Sequence, residues 1–206
     1  MILPIVAYGT PVLKKRCNNI SIDFKDLNQL IKNMWETMYA ASGVGLAAPQ
    51  IGLSIRLFIV DASPFSNDEN LNIEERNNLS NFKEVFINPT LTPLTDKLNT
   101  FNEGCLSIPD VREDVVRENE ILIEYYDENF KKKKLKLNGL RARVVQHEYD
   151  HIEGILFTDK LSSFKKRLIK TKLSNISKGK VSSDYLMSFH DLKKWKKKKP
   201  VQSFVY

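Results

Sequence analysis

A chain of 206 residues is long enough for one well-packed domain and short for two. Its 42% hydrophobic and 28% charged residues describe a soluble globular protein, and no segment approaches the ~20 apolar residues of a membrane span, which excludes an integral helical membrane protein. The net charge of +7 averages two unlike parts: residues 160–206 hold 14 Lys/Arg against Asp184 and Asp191, while residues 1–159 hold 18 against 23 acids. An acidic body with a basic tail suggests an anionic partner for the tail, nucleic acid or a membrane surface, or simple solvation. The N-terminal Met-Ile-Leu-Pro-Ile-Val has no basic region ahead of an apolar core, so no signal peptide is expected. Two cysteines, Cys17 and Cys105, make no disulfide framework and point to free thiols in a reducing compartment.

In chain order, residues 1–20 read as extended, with a turn at Tyr8-Gly9-Thr10-Pro11. Leu27, Leu30, Ile31, Met34 and Met38 form the stripe of an amphipathic scaffold helix from Asp26 to about Ala41. Gly43 to Gly52 carries little side-chain bulk, which predicts either a plain turn or a loop whose backbone closely approaches a ligand. Within it, Gln50 could donate its amide N–H to a polarised carbonyl oxygen. Arg56 to Asp61 reads as a buried strand. Residues 62–83 are rich in Asn, Ser and acids without an apolar period, which predicts a surface loop or insertion. Strands are expected at Glu84–Pro89, Glu120–Asp127 and Lys131–Leu137, the last two joined by a turn at Asp127-Glu128-Asn129. Leu156, Leu161, Phe164 and Leu168 predict a further amphipathic helix, and Trp195 to Pro200 is a charge run. Several strands with short connections between helices argue for one α+β domain, its sheets mostly antiparallel.

The stretch with chemical content is Gln146-His147-Glu148-Tyr149-Asp150-His151. Leu140, Val144, His147 and His151 recur at steps of three and four, bounded by Asn138-Gly139 and Gly154, which predicts a helix. The four-residue spacing puts both imidazoles on one face, within reach of one metal ion, and Glu148 lies close enough to take a proton from water polarised by it. This H-E-x-x-H arrangement is that of metal-assisted hydrolysis. The chain has three histidines, so two in this register around a glutamate weigh against a merely amphipathic helix.

A catalytic ion of this kind takes three protein ligands. Downstream, Glu153, Asp159, Asp184, His190 and Asp191 are available but stand in no recognisable motif. Upstream, Cys105 sits in the tight Glu103–Ser107 segment; a thiolate is a good ligand, whereas a lone cysteine is commonly a small buried hydrophobe.

Three stretches together resemble the signature motifs of the peptide deformylases, in that family's order: Gly43-Val44-Gly45-Leu46-Ala47-Ala48-Pro49-Gln50, Glu103-Gly104-Cys105-Leu106-Ser107 and Gln146 to His151. The resemblance runs from Leu3-Pro4-Ile5 to about Leu161. It implies a single α+β domain with mostly antiparallel sheets packed around a central metal-binding helix. It also implies a catalytic domain over 1–173 followed by a basic extension over 174–206. The activity implied is removal of the formyl group from the initiator methionine of nascent polypeptides, releasing formate, in a bacterial-type cytoplasm and away from any membrane.

By the same resemblance, Cys105, His147 and His151 ligate the ion, commonly Fe²⁺ with Zn²⁺, Ni²⁺ or Co²⁺ able to substitute. Glu148 is the proton carrier, and Gln50 and the Leu106 N–H meet the oxyanion. Gly45 binds the substrate backbone, Val44, Leu140 and Val144 line the methionine pocket, and Arg112 contacts the following residues. Arg143 stands where some relatives carry an apolar residue, which would alter the pocket rim. Glu103 and Asp150 are either orienters of the ligands or ordinary acids. The partners implied are formylmethionyl nascent peptides and, through phosphate contacts of the basic tail, the ribosome. Rival readings are a general H-E-x-x-H peptidase with a downstream third ligand and a basic ribosome-associated protein whose metal site is structural.

Overall fold

The structure, a computed structural model, describes residues 1–190. The charge run at 195–200 and Asp191 lie outside the described residues.

The chain opens with a short strand β1 (Ile5–Val6) and reaches helix α1 (Leu27–Ala40), which buries Leu27, Ile31, Met34 and Met38 as the periodicity predicts. Next come β2 (Gly45–Ala47), a single 3-10 turn at Ala48–Ile51 and the fully buried β3 (Leu57–Asp61). Helix α2 (Ile73–Ser80) follows, then β4 (Lys83–Pro93), β5 (Leu98–Cys105), β6 (Ile108–Glu118), β7 (Glu120–Tyr126) and β8 (Lys132–Asn138). The chain closes through α3 (Gly139–Ile152), α4 (Ser163–Ser177) and β9 (Met187–Ser188).

Five strands form an antiparallel sheet in the order β2-β3-β4-β7-β8. The long hairpin β5-β6 stands beside it, and β1 pairs in parallel with β9. This is the expected α+β domain with mostly antiparallel sheets. Helix α3 lies at its centre, with Ala142, Val144, Val145, Gln146, Glu148, Asp150, His151 and Ile152 all buried. A helix buried around most of its circumference must satisfy polar side chains inside the protein, and Gln146 does so by donating to the Glu118 carbonyl at 2.9 Å. No helix among the described residues is long and apolar enough to cross a membrane.

Three expectations need correction. Residues 73–80, expected as loop, are helical: the Asn72 side chain accepts the Glu75 N–H at 2.8 Å while the Glu75 carboxylate accepts the Asn72 N–H at 3.2 Å. That reciprocal cap starts a helix that buries only Leu79, so no apolar period announces it. The second correction concerns α4, which begins after its Ser162 cap and buries Ile169, Leu173 and Ile176. Phe164 and Leu168 are 67% and 62% exposed, and Leu156 and Leu161 belong to the preceding turn. Third, α4 runs through the boundary expected at 173/174. Ile176 is buried in a core cluster with Val6, Ile108 and Phe157, and β9 is hydrogen-bonded to β1, so residues 174–188 are part of the folded domain.

Candidate metal centre and substrate cleft

Helix α3 presents His147, Glu148 and His151 from adjacent positions and ends at Gly154, whose φ of +76° continues the chain away from the helix. A Cβ at Gly154 would stand 2.8 Å from the Lys14 backbone, so the turn is also closely packed. Cys105 arrives from the other side. It ends β5 at a register irregularity, where Leu106 and Ser107 turn the chain into β6. One ligand atom each from Cys105, His147 and His151 lie within 4.8 Å of one another, and the Cys105 Sγ approaches the His151 Nε2 to 3.3 Å. One sulfur and two imidazole nitrogens at this spacing suit a divalent transition metal.

Among the described downstream candidates for a third ligand, none joins this cluster. Glu153 is engaged by Arg56 at 2.6 Å and Arg16 at 2.9 Å, and Asp159 by Lys14. His190 is exposed.

A buried charge network stands behind this cluster. The Glu103 carboxylate meets His147 Nδ1 at 2.9 Å, which leaves Nε2 to face the sulfur and the other imidazole. Arg117 donates to both Glu103 oxygens, from Nε at 2.7 Å and from its terminal nitrogen at 2.9 Å. It also donates to Asp150 Oδ2 at 2.5 Å. Arg143 adds a bond to Glu103 Oε1 at 2.8 Å and one to the Asn99 carbonyl at 2.7 Å. Glu103 and Asp150 are therefore joined through Arg117 in one buried network, with Glu103 in contact with His147, and the Arg143 guanidinium is turned onto Glu103 at the cleft edge. Arg117 was not anticipated. The signal was present in β6, where Val111, Val115 and Arg117 share the inward face of an alternating strand.

The electrostatics follow from this burial. Burial alone would raise the Glu103 carboxyl, but the Arg117 and His147 hydrogen bonds outweigh it and hold Glu103 below the usual carboxylate range. Burial depresses His147, yet its interactions with Cys105 and Glu103 push it up to about 10. His151, buried and facing His147 and Arg117, is held well below the ordinary imidazole value. Glu148 is pushed up to about 7, by burial first, with His147 and Arg117 pulling in the other direction. Its Oε2 and the His151 Nδ1 are buried without a hydrogen-bond partner among the described residues.

Glu103, Cys105, His147 and Glu148 open onto a cleft of about 680 Å³, while His151 lies buried behind it. Its lining includes Val44, Gly45, Gln50, Cys105, Leu106, Arg112, Val144, His147 and Glu148. Leu140 is not among the lining residues. One turn before Val144, it packs half-buried on the core cluster around Phe58, Phe86 and Tyr125. Gln50 is buried, and its Oε1 accepts the Ala47 N–H at 2.8 Å, so its amide nitrogen is turned toward Cys105 Sγ at 3.6 Å and Ser107 Oγ at 3.5 Å. Arg112 is tied to the Asn102 side chain at 2.9 Å and its carbonyl at 2.6 Å, across the hairpin. The lining also includes residues that the sequence did not single out: Phe65 from the polar 62–83 segment, Phe101 from β5, and Ser182 to Tyr185 from the stretch before β9.

The family model described as polypeptide deformylase matches residues 2–167 of this chain. The chain is 59% identical over 194 residues to the peptide deformylase of Christiangramia forsetii, covering 94% of this chain and 99% of that protein. It is 60% identical over 187 residues to that of Flavobacterium psychrophilum, covering 91% and 96%. Among solved structures, the peptide deformylase of Legionella pneumophila aligns with a TM-score of 0.71 at 31% identity, over 97% of this chain and all of that one. That of Thermotoga maritima aligns at 0.68 and 33% identity, over 79% and 99%.

Proposed function

Since the chain belongs to the polypeptide deformylase family and is a hydrolase removing the N-terminal formyl group of nascent polypeptides, we propose that Cys105, His147 and His151 hold its metal ion. The assignment extends to Glu148, Gln50 and Leu106 as the residues that carry the chemistry. The observation that carries it is the Glu148 carboxylate, buried beside the three ligands with one oxygen unpartnered. We assign Fe²⁺ as the ion, with Zn²⁺, Ni²⁺ or Co²⁺ able to replace it; thiolate and imidazole suit each of these ions. When bound, such an ion supplies a Lewis acid that polarises the formyl group and acidifies water.

The chain's own residues then act as follows. Glu148 takes a proton from water as the water oxygen bonds to the formyl carbon, and returns it to the amine nitrogen as the C–N bond breaks. Formate and a free amino terminus leave. While the former carbonyl oxygen carries negative charge, Gln50 Nε2 and the Leu106 N–H donate to it. Support for Gln50 is its fixed amide, and for Leu106 an N–H that finds no acceptor among the described residues. Val44 and Val144 form the apolar side that takes the methionine, the Gly45 backbone receives the peptide, and Arg112 stands beyond it. Leu140 is left out of this assignment. We place the enzyme in the bacterial cytoplasm, with formylmethionyl nascent peptides as its substrates; its bacterial relatives support that placement.

The test is formate release from formyl-Met-Ala-Ser by anaerobically prepared, Fe²⁺-loaded protein. Glu148→Ala should keep its metal and lose release, whereas Cys105→Ser should lose the metal itself. No release by wild-type protein with metal bound would sink the reading.

A further inference from the structure

The residues just after α4 belong to the active-site cleft, although nothing in the chemistry above uses them. Ser182, Ser183, Asp184 and Tyr185 line the same cleft as Gln50 and Glu148. They are held there from both sides. Downstream, β9 pairs with β1, with the Ile5 N–H donating to the Leu186 carbonyl and the Ala7 N–H to the Ser188 carbonyl, each at 2.8 Å. Upstream, Ile176 is buried at the end of α4. Between these anchors the Tyr185 ring packs on the core cluster containing Ala48, and its hydroxyl donates to the Leu106 carbonyl at 2.7 Å.

That carbonyl belongs to the two-residue turn that carries the Leu106 N–H. The turn is restrained at each of its two carbonyls: Leu106 by Tyr185, and Ser107 by the Tyr8 N–H at 2.8 Å. Ser107 is buried and the Leu106 side chain packs on the core cluster around Met38. Side-chain packing does not by itself set the direction of the turn's peptide planes, and these two bonds to its carbonyls do so. An oxyanion donor is effective only when its direction is set before charge develops.

We propose that Tyr185 is a positioning residue for deformylation: its hydroxyl fixes the Leu106 turn so that the Leu106 N–H is aimed at the developing oxyanion, and the 182–185 segment forms the outer wall of the peptide cleft. The proposal rests on the assignment of Leu106 as an oxyanion donor. The tyrosine keeps its proton in this role, since burial pushes its hydroxyl up to about 12 despite the opposing bond from Ser183. Because the bond acts on the transition state more than on the bound substrate, its loss should appear in kcat and leave KM largely unchanged.

The experiment uses full-length, metal-loaded enzyme with formyl-Met-Ala-Ser and formyl-methionine amide as substrates. Tyr185→Phe removes only the hydroxyl and should lower kcat about tenfold, the size expected for one lost orienting hydrogen bond. KM should stay within about twofold, and the same factor should appear with the short substrate, which does not reach the outer wall. Tyr185→Leu should lose as much kcat as Tyr185→Phe. Its further rise in KM should be confined to the tripeptide. A kcat for Tyr185→Phe equal to wild type would overturn the positioning role, as would a loss seen only with Leu, which would make Tyr185 a packing residue. A wild-type enzyme that released no formate would overturn the deformylation reading and this proposal with it, so the two failures are distinct.

Discussion

Gly45 leaves open the space that the Glu148 side chain occupies: a Cβ at position 45 would stand 2.5 Å from Glu148 Oε1 and 2.7 Å from its carboxyl carbon. The glycine of β2 and the glutamate of α3 are thus packed as one unit, and the β2 backbone sets where the Glu148 carboxylate can lie. Gly45→Ala should displace Glu148 and lower kcat by about 100-fold or more, the range for misplacing a general base. The unfolding midpoint should fall far less, because the strand retains its pairing with β3. Steady-state kinetics alongside a thermal melt would check this, and an unchanged kcat would show that the carboxylate is free to shift.

The pH dependence should be one-sided below neutrality. In the proposed role Glu148 must be deprotonated, and burial has raised it to about 7. A bound dication favours the charged carboxylate, so the midpoint in the loaded enzyme should move below that value. Therefore kcat/KM should fall tenfold per pH unit on the acid side of a midpoint under 7. Metal content must be measured at each pH, because protons also compete for the thiolate and imidazoles. A midpoint above 7 with metal retained would contradict this reading.

Removing one partner from the Glu103–Arg117–Asp150 network leaves buried carboxylates without compensation. Arg117→Ala should destabilise the protein by about 3–5 kcal/mol. The contribution of Glu103 has a definite sign: its carboxyl is lower in the folded state than in the unfolded, so its stabilisation is present above the unfolded value near 4.5 and is lost as pH falls through the folded value. The stability of wild type should therefore drop below pH 4.5 more steeply than that of Glu103→Gln. Urea melts from pH 3 to pH 7 would measure the difference.

The basic tail is best tested by a cut that respects the fold. Deleting residues 174–206 would remove Ile176, Tyr185 and β9. Deleting residues 191–206 removes six lysines and leaves the described domain whole. We expect the shorter deletion to weaken co-sedimentation with ribosomes in a salt-dependent manner, through lost phosphate contacts, with hydrolysis of a short peptide unchanged. Equal co-sedimentation of the two proteins would assign the tail to solvation.

The parts of the site that could be read from the sequence are those made locally. His147, Glu148 and His151 share one helix, where spacing alone dictates the shared face. Cys105 lies in another element, so no spacing rule could choose it over Glu153 or Asp159; family resemblance did that. Arg117 was readable only from strand alternation in β6, and the strand itself was missed because the β5-β6 hairpin is largely exposed and lacks a continuous apolar pattern on both strands. Leu140 satisfied the helical period but faces the core, since periodicity identifies an inward face without saying whether core or cleft lies behind it. Tyr185 could not have been found this way, because its bond to Leu106 joins positions 79 residues apart with no motif at either end.

The pairing of β1 with β9 has a consequence for synthesis of the enzyme itself. Ile5 is made before its partner Met187, which follows more than 180 positions later. Closing a loop of that length is entropically costly and awaits synthesis of both partners. A nascent chain that has released only α3 from the ribosome already carries the H-E-x-x-H helix, yet it lacks the strand that seats the cleft wall and the tyrosine that holds the turn. Competence should consequently arrive only once residue 188 has cleared the exit.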